Sequence, residues 1–313
     1  MKRLACLCLG ALLACGCRPA REGSPRLYPT WASRGERVPR TKAVPAENLP
    51  PPGAEPWAGT VSHHLLAGAE IERWFAELAA RRKVSCFFII CPSHYGLSTE
   101  PYSLTDGSWQ AGSGRIVESD RRVVGALASA LDVRLEREIF DPEHGISTLI
   151  PYIAEYFPDA RVAAIAVRGE PPLDQPRAEK LAEALRPYFA VGGRAGTADL
   201  QAPASLLSGR GAANSRPPAD GCGGNFLIVS TDFSHHGDLE QTDFKDRRSR
   251  RFFAAPSSGD WILAGCDNRP GIYVLSHLAD SSVRDAVLFH CNSYELCGAG
   301  KEDITSYYFS FFW

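Results

Sequence analysis

Three stretches of the chain are apolar at almost every position: Val84–Ile90 (VSCFFII), residues 161–167 (RVAAIAV) and Asn225–Ser230 (NFLIVS). Runs of this length predict strands covered on both faces. Between them the pattern changes to a helical period. In residues 67–83, AGAEIERWFAELAARRK, the side chains of Ile71, Trp74, Phe75 and Leu78 share one helical face. The same reasoning predicts helices at Val123–Leu131, Ser147–Phe157 and Ala178–Phe189, with VRLERE (133–138) as a strand between the first two. A polar helix over Asp238–Phe253 and a more apolar one over Gly271–Ala279 follow. DAVLFHCN and ITSYYFSFFW close the chain as strands. This alternation predicts an α/β fold: a three-layer α/β/α domain with a mostly parallel or mixed central sheet. In such sheets ligands bind outside the carboxyl ends of the strands.

Three regions lack the pattern. Residues 1–17, MKRLACLCLGALLACGC, join a basic start (Lys2, Arg3) to an apolar run too short to span a bilayer, which reads as a signal peptide. Its LLAC tetrapeptide, Leu12–Cys15, resembles the lipobox of bacterial lipoproteins, with Cys15 as the lipidated residue and Cys17 as the alternative. An exported, membrane-anchored lipoprotein on the periplasmic or cell-surface side is therefore expected, held by acyl chains rather than by a helix. Residues 18–57 are rich in Pro, Ala and Arg and read as a tether. Residues 191–224 read as a flexible insertion in a single domain spanning 58–313.

Composition narrows the function. With 44% hydrophobic and 22% charged residues the chain reads as globular, and a net charge of −2 gives no electrostatic case for a nucleic-acid partner. Cys86, Cys91, Cys222, Cys266, Cys291 and Cys297 lie outside the leader and contain no CxxC pair, so no zinc ribbon is indicated. Export would allow disulfides among them. The run KDRRSRR, Lys245–Arg251, reads as a solvated helix face.

The candidate chemistry sits at the predicted strand ends. FFIICPSHYG presents His94, FLIVSTDFSHHG presents Asp232, His235 and His236, GTVSHHLLAG presents His63 and His64, and FDPEHGISTLIPY presents Glu143 and His144. Imidazoles and carboxylates converging on one sheet edge are what a metal site or an acid/base cleft needs. His63 and His64 are neighbours, and on an extended chain their side chains point to opposite faces. His277 and His290 read as structural.

The motifs SHHLLAG, PSHYG, EHGISTLIPY, STDFSHHG and CDNRP, in that order, resemble the Memo-like family, known in bacteria as AmmeMemoRadiSam system protein B. That family is similar in fold to class III extradiol dioxygenases. The resemblance implies one transition metal ion (Fe, Cu or Zn) held by His63, His94 and Cys266 with His235 beside them, and catalytic or orienting roles for His144 and Asp232. It implies a metal-dependent oxidoreductase acting on an unknown small molecule, or a binding or assembly module with a peptide or protein partner and a vestigial site. The second option is motivated by departures from the family pattern: Ser62 replaces a proline, while Tyr95 and Ile150 replace histidines. Between the two side-by-side histidines, the resemblance favours His63 as the ligand.

Overall fold

The computed structural model describes residues 26–96, 101–169, 173–189, 224–257 and 259–313. The leader with Cys15, the insertion at 191–223 and Cys222 lie outside the described residues. The first half runs β1 (Leu27–Pro29), β2 (Ala58–Val61), α1 (Gly68–Arg81), β3 (Cys86–Pro92), β4 (Tyr102–Leu104), β5 (Ser108–Gln110), β6 (Ile116–Val117) and α2 (Arg121–Leu131). It continues with α3 (His144–Ser147), α4 (Ile150–Tyr156), β7 (Arg161–Val167) and α5 (Gln175–Leu185). The second half runs β8 (Asn225–Ser230), β9 (Phe233–Gly237), α6 (Leu239–Ala254), α7 (Arg269–Leu278), β10 (Asp285–Asn292), α8 (Ser293–Cys297) and β11 (Ile304–Phe312).

The main sheet has the order β10-β11-β2-β8-β3-β7-β4, with β9 also pairing β11. Its centre is parallel, β2 to β8 to β3 to β7, and its flanks are antiparallel. The alternation of β3 shows why the apolar runs are continuous. Phe87, Ile89 and Cys91 enter one core with Ile71, Trp74, Phe75 and Leu78 of α1. Cys86, Phe88 and Ile90 enter the opposite core with Val124 and Leu127 of α2, Leu181 of α5 and Leu275 of α7. Both sheet faces are buried, so both sets of alternating positions must be apolar. The mixed sheet and its helical layers agree with the three-layer α/β/α expectation.

Two expectations from the sequence need correction. Residues 133–138 form no strand. The sheet edge beside β7 is taken instead by β4, to which Glu136 is joined by its amide, donating to the Leu104 carbonyl, and by its carboxylate, accepting from the Ser103 hydroxyl. The segment read as a tether is, from Arg26 onward, laid against the domain. Tyr28 is fully buried against Trp109 and Phe140, and β1 pairs with β5 in a second, three-stranded sheet. The Trp31 indole donates to the Thr148 carbonyl, and the amides of Glu47 and Asn48 donate to Leu288 and Val287. A segment of isolated aromatics and prolines can pack without periodicity, because it wraps a surface instead of presenting one face of a repeating element. Among the described residues no helix is long and apolar enough to cross a membrane, and Cys86, Cys91, Cys266, Cys291 and Cys297 are free thiols.

Candidate metal centre

Adjacent parallel strands deliver the side chains. β2 ends at Val61 and is followed by Ser62 and His63; β8 ends at Ser230 and is followed by Thr231 and Asp232; β3 ends at Pro92 and is followed by Ser93 and His94. Since β2, β8 and β3 are neighbours with the same direction, their carboxyl ends open on one cleft. The cleft holds about 520 Å³ and is lined by His63, His94, His144, Asp232, His235, Cys266 and Asp267, among others.

The hydrogen bonds fix the two central rings. The Ser230 hydroxyl donates to the Gly145 carbonyl at 2.6 Å, so its oxygen can only accept from His63 Nδ1, 3.1 Å away. His94 Nδ1 donates to Glu143 Oε1 at 2.6 Å, and the His94 amide donates to Oε2 of the same carboxylate. Glu143 is fully buried and also caps α3 by accepting from the Gly145 amide. Both rings thus carry a proton on Nδ1, and both Nε2 atoms, 3.2 Å apart, face each other and the cleft. His144 completes the imidazole group, with its ring centroid 3.9 Å from that of His94 and 5.2 Å from that of His63.

Asp267 is the residue that sequence reasoning missed. Its Oδ1 accepts from the Thr231 hydroxyl at 2.8 Å and the Asp232 amide at 3.0 Å. This leaves Oδ2 aimed at three imidazoles, 3.3 Å from His63 Nε2, 3.5 Å from His235 Nε2 and 3.9 Å from His94 Nε2. Next to it, Asn268 donates to the Ile90 and Ser230 carbonyls and caps α7 through the Gly271 amide, stapling the ends of β3 and β8 together. Close approach is needed on the other side too: a Cβ on Gly169 would lie 2.0 Å from the Asp267 carbonyl oxygen.

The donor atoms of His63, His94 and His144 all lie within 4.8 Å of one another, and so do those of His63, Asp232 and Asp267. Cys266 and His235 line the cleft but belong to neither group. Cys266 bridges to Phe233 in extended geometry, so its side chain and that of Asp267 take opposite directions. The thiol packs against the apolar core, where burial pushes its pKa up to about 12. The family resemblance predicts Cys266 beside His63 and His94; the oxygen that lies 3.3 and 3.9 Å from their Nε2 atoms is Asp267 Oδ2. His235 Nε2 is buried without a hydrogen-bond partner of good geometry. His64 also lines the cleft, but its Nδ1 meets the Tyr307 hydroxyl at 2.7 Å, whereas His63 Nδ1 meets Ser230. Ser62, at the position where the family motif has proline, is fully buried, donates to Asp232 Oδ1 at 2.6 Å and accepts the His64 amide. Tyr95 places its hydroxyl 3.4 Å from His144 Nδ1, whereas Ile150 is in the core.

The electrostatics follow from this packing. Burial opposes charge on His63, but the Asp232 and Asp267 carboxylates outweigh it and raise its pKa. Burial likewise opposes charge on His94, and its bonds to Asp267 and Glu143 lift it to about 9. His144 is pushed down to about 3 by burial and by His63 and His94. Asp267, despite burial, is held well below the usual carboxylate range by His63 and the other imidazoles. The cluster therefore calls for a cation among the Nε2 atoms. Two ligand rings oriented by oxygen acceptors on Nδ1, with a third-party carboxylate facing both free nitrogens, fit a transition-metal ion. His63, His94 and Asp267 would hold it, with His144 and Asp232 in reach.

Residues 62–190 match the Memo-like protein family. A MEMO1 family protein of Pyrobaculum aerophilum is 27% identical over 162 residues, covering 50% of this chain and 56% of the relative. One of Pyrobaculum arsenaticum is 28% identical over 144 residues, covering 44% and 48%, and one of Caldivirga maquilingensis 29% over 105 residues, covering 33% and 37%. The chain spans about half the length or less of these curated relatives. The matched residues carry His63, His94, Glu143 and His144, and the α/β architecture is consistent with similarity to the extradiol dioxygenase fold. Over residues 62–190 the chain is similar to the Memo-like family.

Proposed function

We propose that the strand-end cleft binds one transition-metal ion through His63, His94 and Asp267 and supports redox or oxygen chemistry on a small molecule. One observation carries this reading: two Nε2 atoms converge at 3.2 Å with Asp267 Oδ2 within 3.9 Å of both, while the opposite nitrogen of each ring is fixed by an oxygen acceptor. Without a metal a proton on one Nε2 satisfies the pair; a metal ion takes the place of that proton and uses both nitrogens together with Asp267. Two imidazoles and one carboxylate are the donor set of non-haem iron oxygenases, and zinc accepts the same donors. The bound ion would supply Lewis acidity and, if iron, electron exchange.

The chain's own residues do the orienting. Ser230 and Glu143 hold the two rings, and Thr231 with the Asp232 amide holds Asp267. His144 stays neutral at physiological pH and offers the cleft a hydrogen-bonding ring. Asp232, fixed by Ser62, keeps Oδ2 3.7 Å from His63 Nε2 and adds negative charge beside the ring.

The test is elemental analysis of the purified full chain, before and after anaerobic reconstitution with Fe(II), Zn(II) or Cu(I). About one ion per chain is expected, lost on His63→Ala. A chain that takes up none of these ions overturns the reading and leaves a binding or assembly module. Loading with iron, followed by oxygen uptake with a panel of small phenols and catechols, tests the redox half.

We further propose that the leader directs export and that Cys15 carries the lipid that holds the domain at a membrane surface. The LLAC tetrapeptide supports this. Partition of the wild-type chain to membranes, abolished by Cys15→Ser, is the expected result; equal partition of both chains overturns it.

A further inference from the structure

A second recess, of about 320 Å³, adjoins the metal cleft across His235, Cys266 and Asp267, which line both. Its other walls carry Lys245, Arg248 and Arg269, with Ile262 and Leu263 beside them. Asp267 is the one carboxylate in the lining, and its charge is already engaged by the imidazoles. The recess is thus strongly cationic in a chain whose net charge is −2.

The arginines of α6 show that this charge is not simply a solvated face. Arg247 pairs with Asp243, Arg250 with Glu47 and Arg251 with Asp260. Arg248, which lines the recess, has no carboxylate partner among the described residues; its guanidinium lies 6.0 Å over the Phe244 ring. Arg269, at the start of α7, is half-buried and also without a carboxylate partner among the described residues. Lys245 is anchored by donating to the His235 carbonyl at 2.7 Å, which leaves its remaining N–H donors free. Two unpaired guanidiniums and an anchored ammonium around one concavity make a site for an oxyanion, because the fork of arginine matches carboxylate and phosphate oxygens. Ile262 is 55% exposed at the rim and offers an apolar surface to the rest of the molecule.

We propose that this recess is an anion-binding site that takes the carboxylate or phosphate group of a small molecule, whose apolar part lies on Ile262 and Leu263. Its position behind Asp267 suits the acidic end of a molecule acted on in the metal cleft, a role that rests on the metal reading above. Binding of the anion itself does not rest on it.

The experiment is calorimetric titration of the metal-free full chain with inorganic phosphate, phenyl phosphate and benzoate at low ionic strength. Saturable binding is expected, with phenyl phosphate tighter than phosphate, and the comparison with benzoate identifies the preferred head group. Arg248→Gln with Arg269→Gln should weaken binding by about 10–100-fold, since each charge-assisted contact contributes on the order of tenfold. The double variant should keep the wild-type melting temperature and metal uptake, both substitutions being on partly exposed side chains away from the ligand atoms. Arg251→Gln removes the same charge from the same helix, from a residue paired elsewhere, and should leave binding unchanged. No saturable binding of any probe at millimolar concentration overturns the proposal, as does equal weakening by Arg251→Gln or unaltered binding to the double variant. Failure of metal uptake with intact phosphate binding would refute only the metal reading.

Discussion

Two regions of this molecule gather histidine and carboxylate, and they are built on opposite terms. Behind the sheet, Asp246 of α6 accepts from the Ser234 and Ser306 hydroxyls and from His290 Nε2 at 2.8 Å. His290 Nδ1 accepts from Arg250 at 3.1 Å, and Arg250 in turn makes two bonds to Glu47 at 2.8 and 2.9 Å. The Tyr308 hydroxyl closes the group by donating to the Asp246 carbonyl. The side-chain donors and acceptors in this chain alternate and pair. At the strand ends the same residue types leave Nε2 of His63 facing Nε2 of His94, and Nε2 of His235 without a hydrogen bond of good geometry. The first region is a clasp, tying α6 and the N-terminal segment to β10 and β11. The second is a set of donors directed at something the chain does not itself supply. Clustering alone does not identify a functional site; unspent ligand atoms that face a cavity do.

The sharpest way to break this comparison is to remove one member from each region. His63→Ala should reduce metal affinity by more than about 100-fold, because loss of a direct ligand exceeds the about 10–100-fold typical of an orienting partner. Its urea midpoint should hardly move, since the ring faces a cleft that water can fill. Asp246→Ala should do the reverse. It strands two buried hydroxyls and a histidine, and a loss of about 3 kcal/mol in unfolding free energy is expected, with metal uptake unchanged. If Asp246→Ala abolished metal binding, or His63→Ala unfolded the chain, the division into clasp and site would fail.

How much of this was legible in the sequence follows the same division. The sheet could be read because a strand buried on both faces leaves no polar position, as in Phe87–Ile90 and Phe226–Val229. His63 and His64 could be separated because strand parity is a local rule, and the structure sends them to Asp267 and Tyr307. The same rule applied to Cys266 and Asp267 would have brought forward the carboxylate, but the extended geometry there comes from a single bridge to Phe233, which no periodicity announces. Glu143 was visible beside His144, yet its grip on His94 is a contact between residues 49 positions apart. The wrapping of residues 26–57 was hidden for a related reason: its anchors, Tyr28, Trp31 and Glu47, are spaced by the surface they cross and not by a repeat.

A smaller change sharpens the site without emptying it. Glu143→Gln keeps an oxygen to accept from His94 Nδ1 but removes the charge that makes that ring a stronger base. Metal affinity should fall by about tenfold, the mild end of the range for a partner that orients a ligand. A ten-thousandfold loss in a metal competition assay would instead make Glu143 a ligand, and no change would mean that His94 is not held through it.

The smallest expected effect concerns a carboxylate that belongs to neither region. Asp285 opens β10 half-buried, with desolvation as the dominant influence and only its own backbone amide in support. Burial raises its pKa from 3.8 to about 6. The sign is then fixed. Between these values the folded chain retains a proton that the unfolded chain has lost, so stability from this group is complete below pH 3.8 and declines as pH rises through 6. Above that range the folded state carries a poorly solvated charge that pairs with no cation among the described residues. Asp285→Asn should therefore stabilise the chain by about 1 kcal/mol at neutral pH once solvent screening is allowed for. The gain should vanish near pH 4 in paired urea titrations, which separates it from any general effect of the amide on β10. A gain that persisted at pH 4 would mean that the substitution improves packing, and a loss at neutral pH would mean that Asp285, like Asp246, has a partner on which the strand depends.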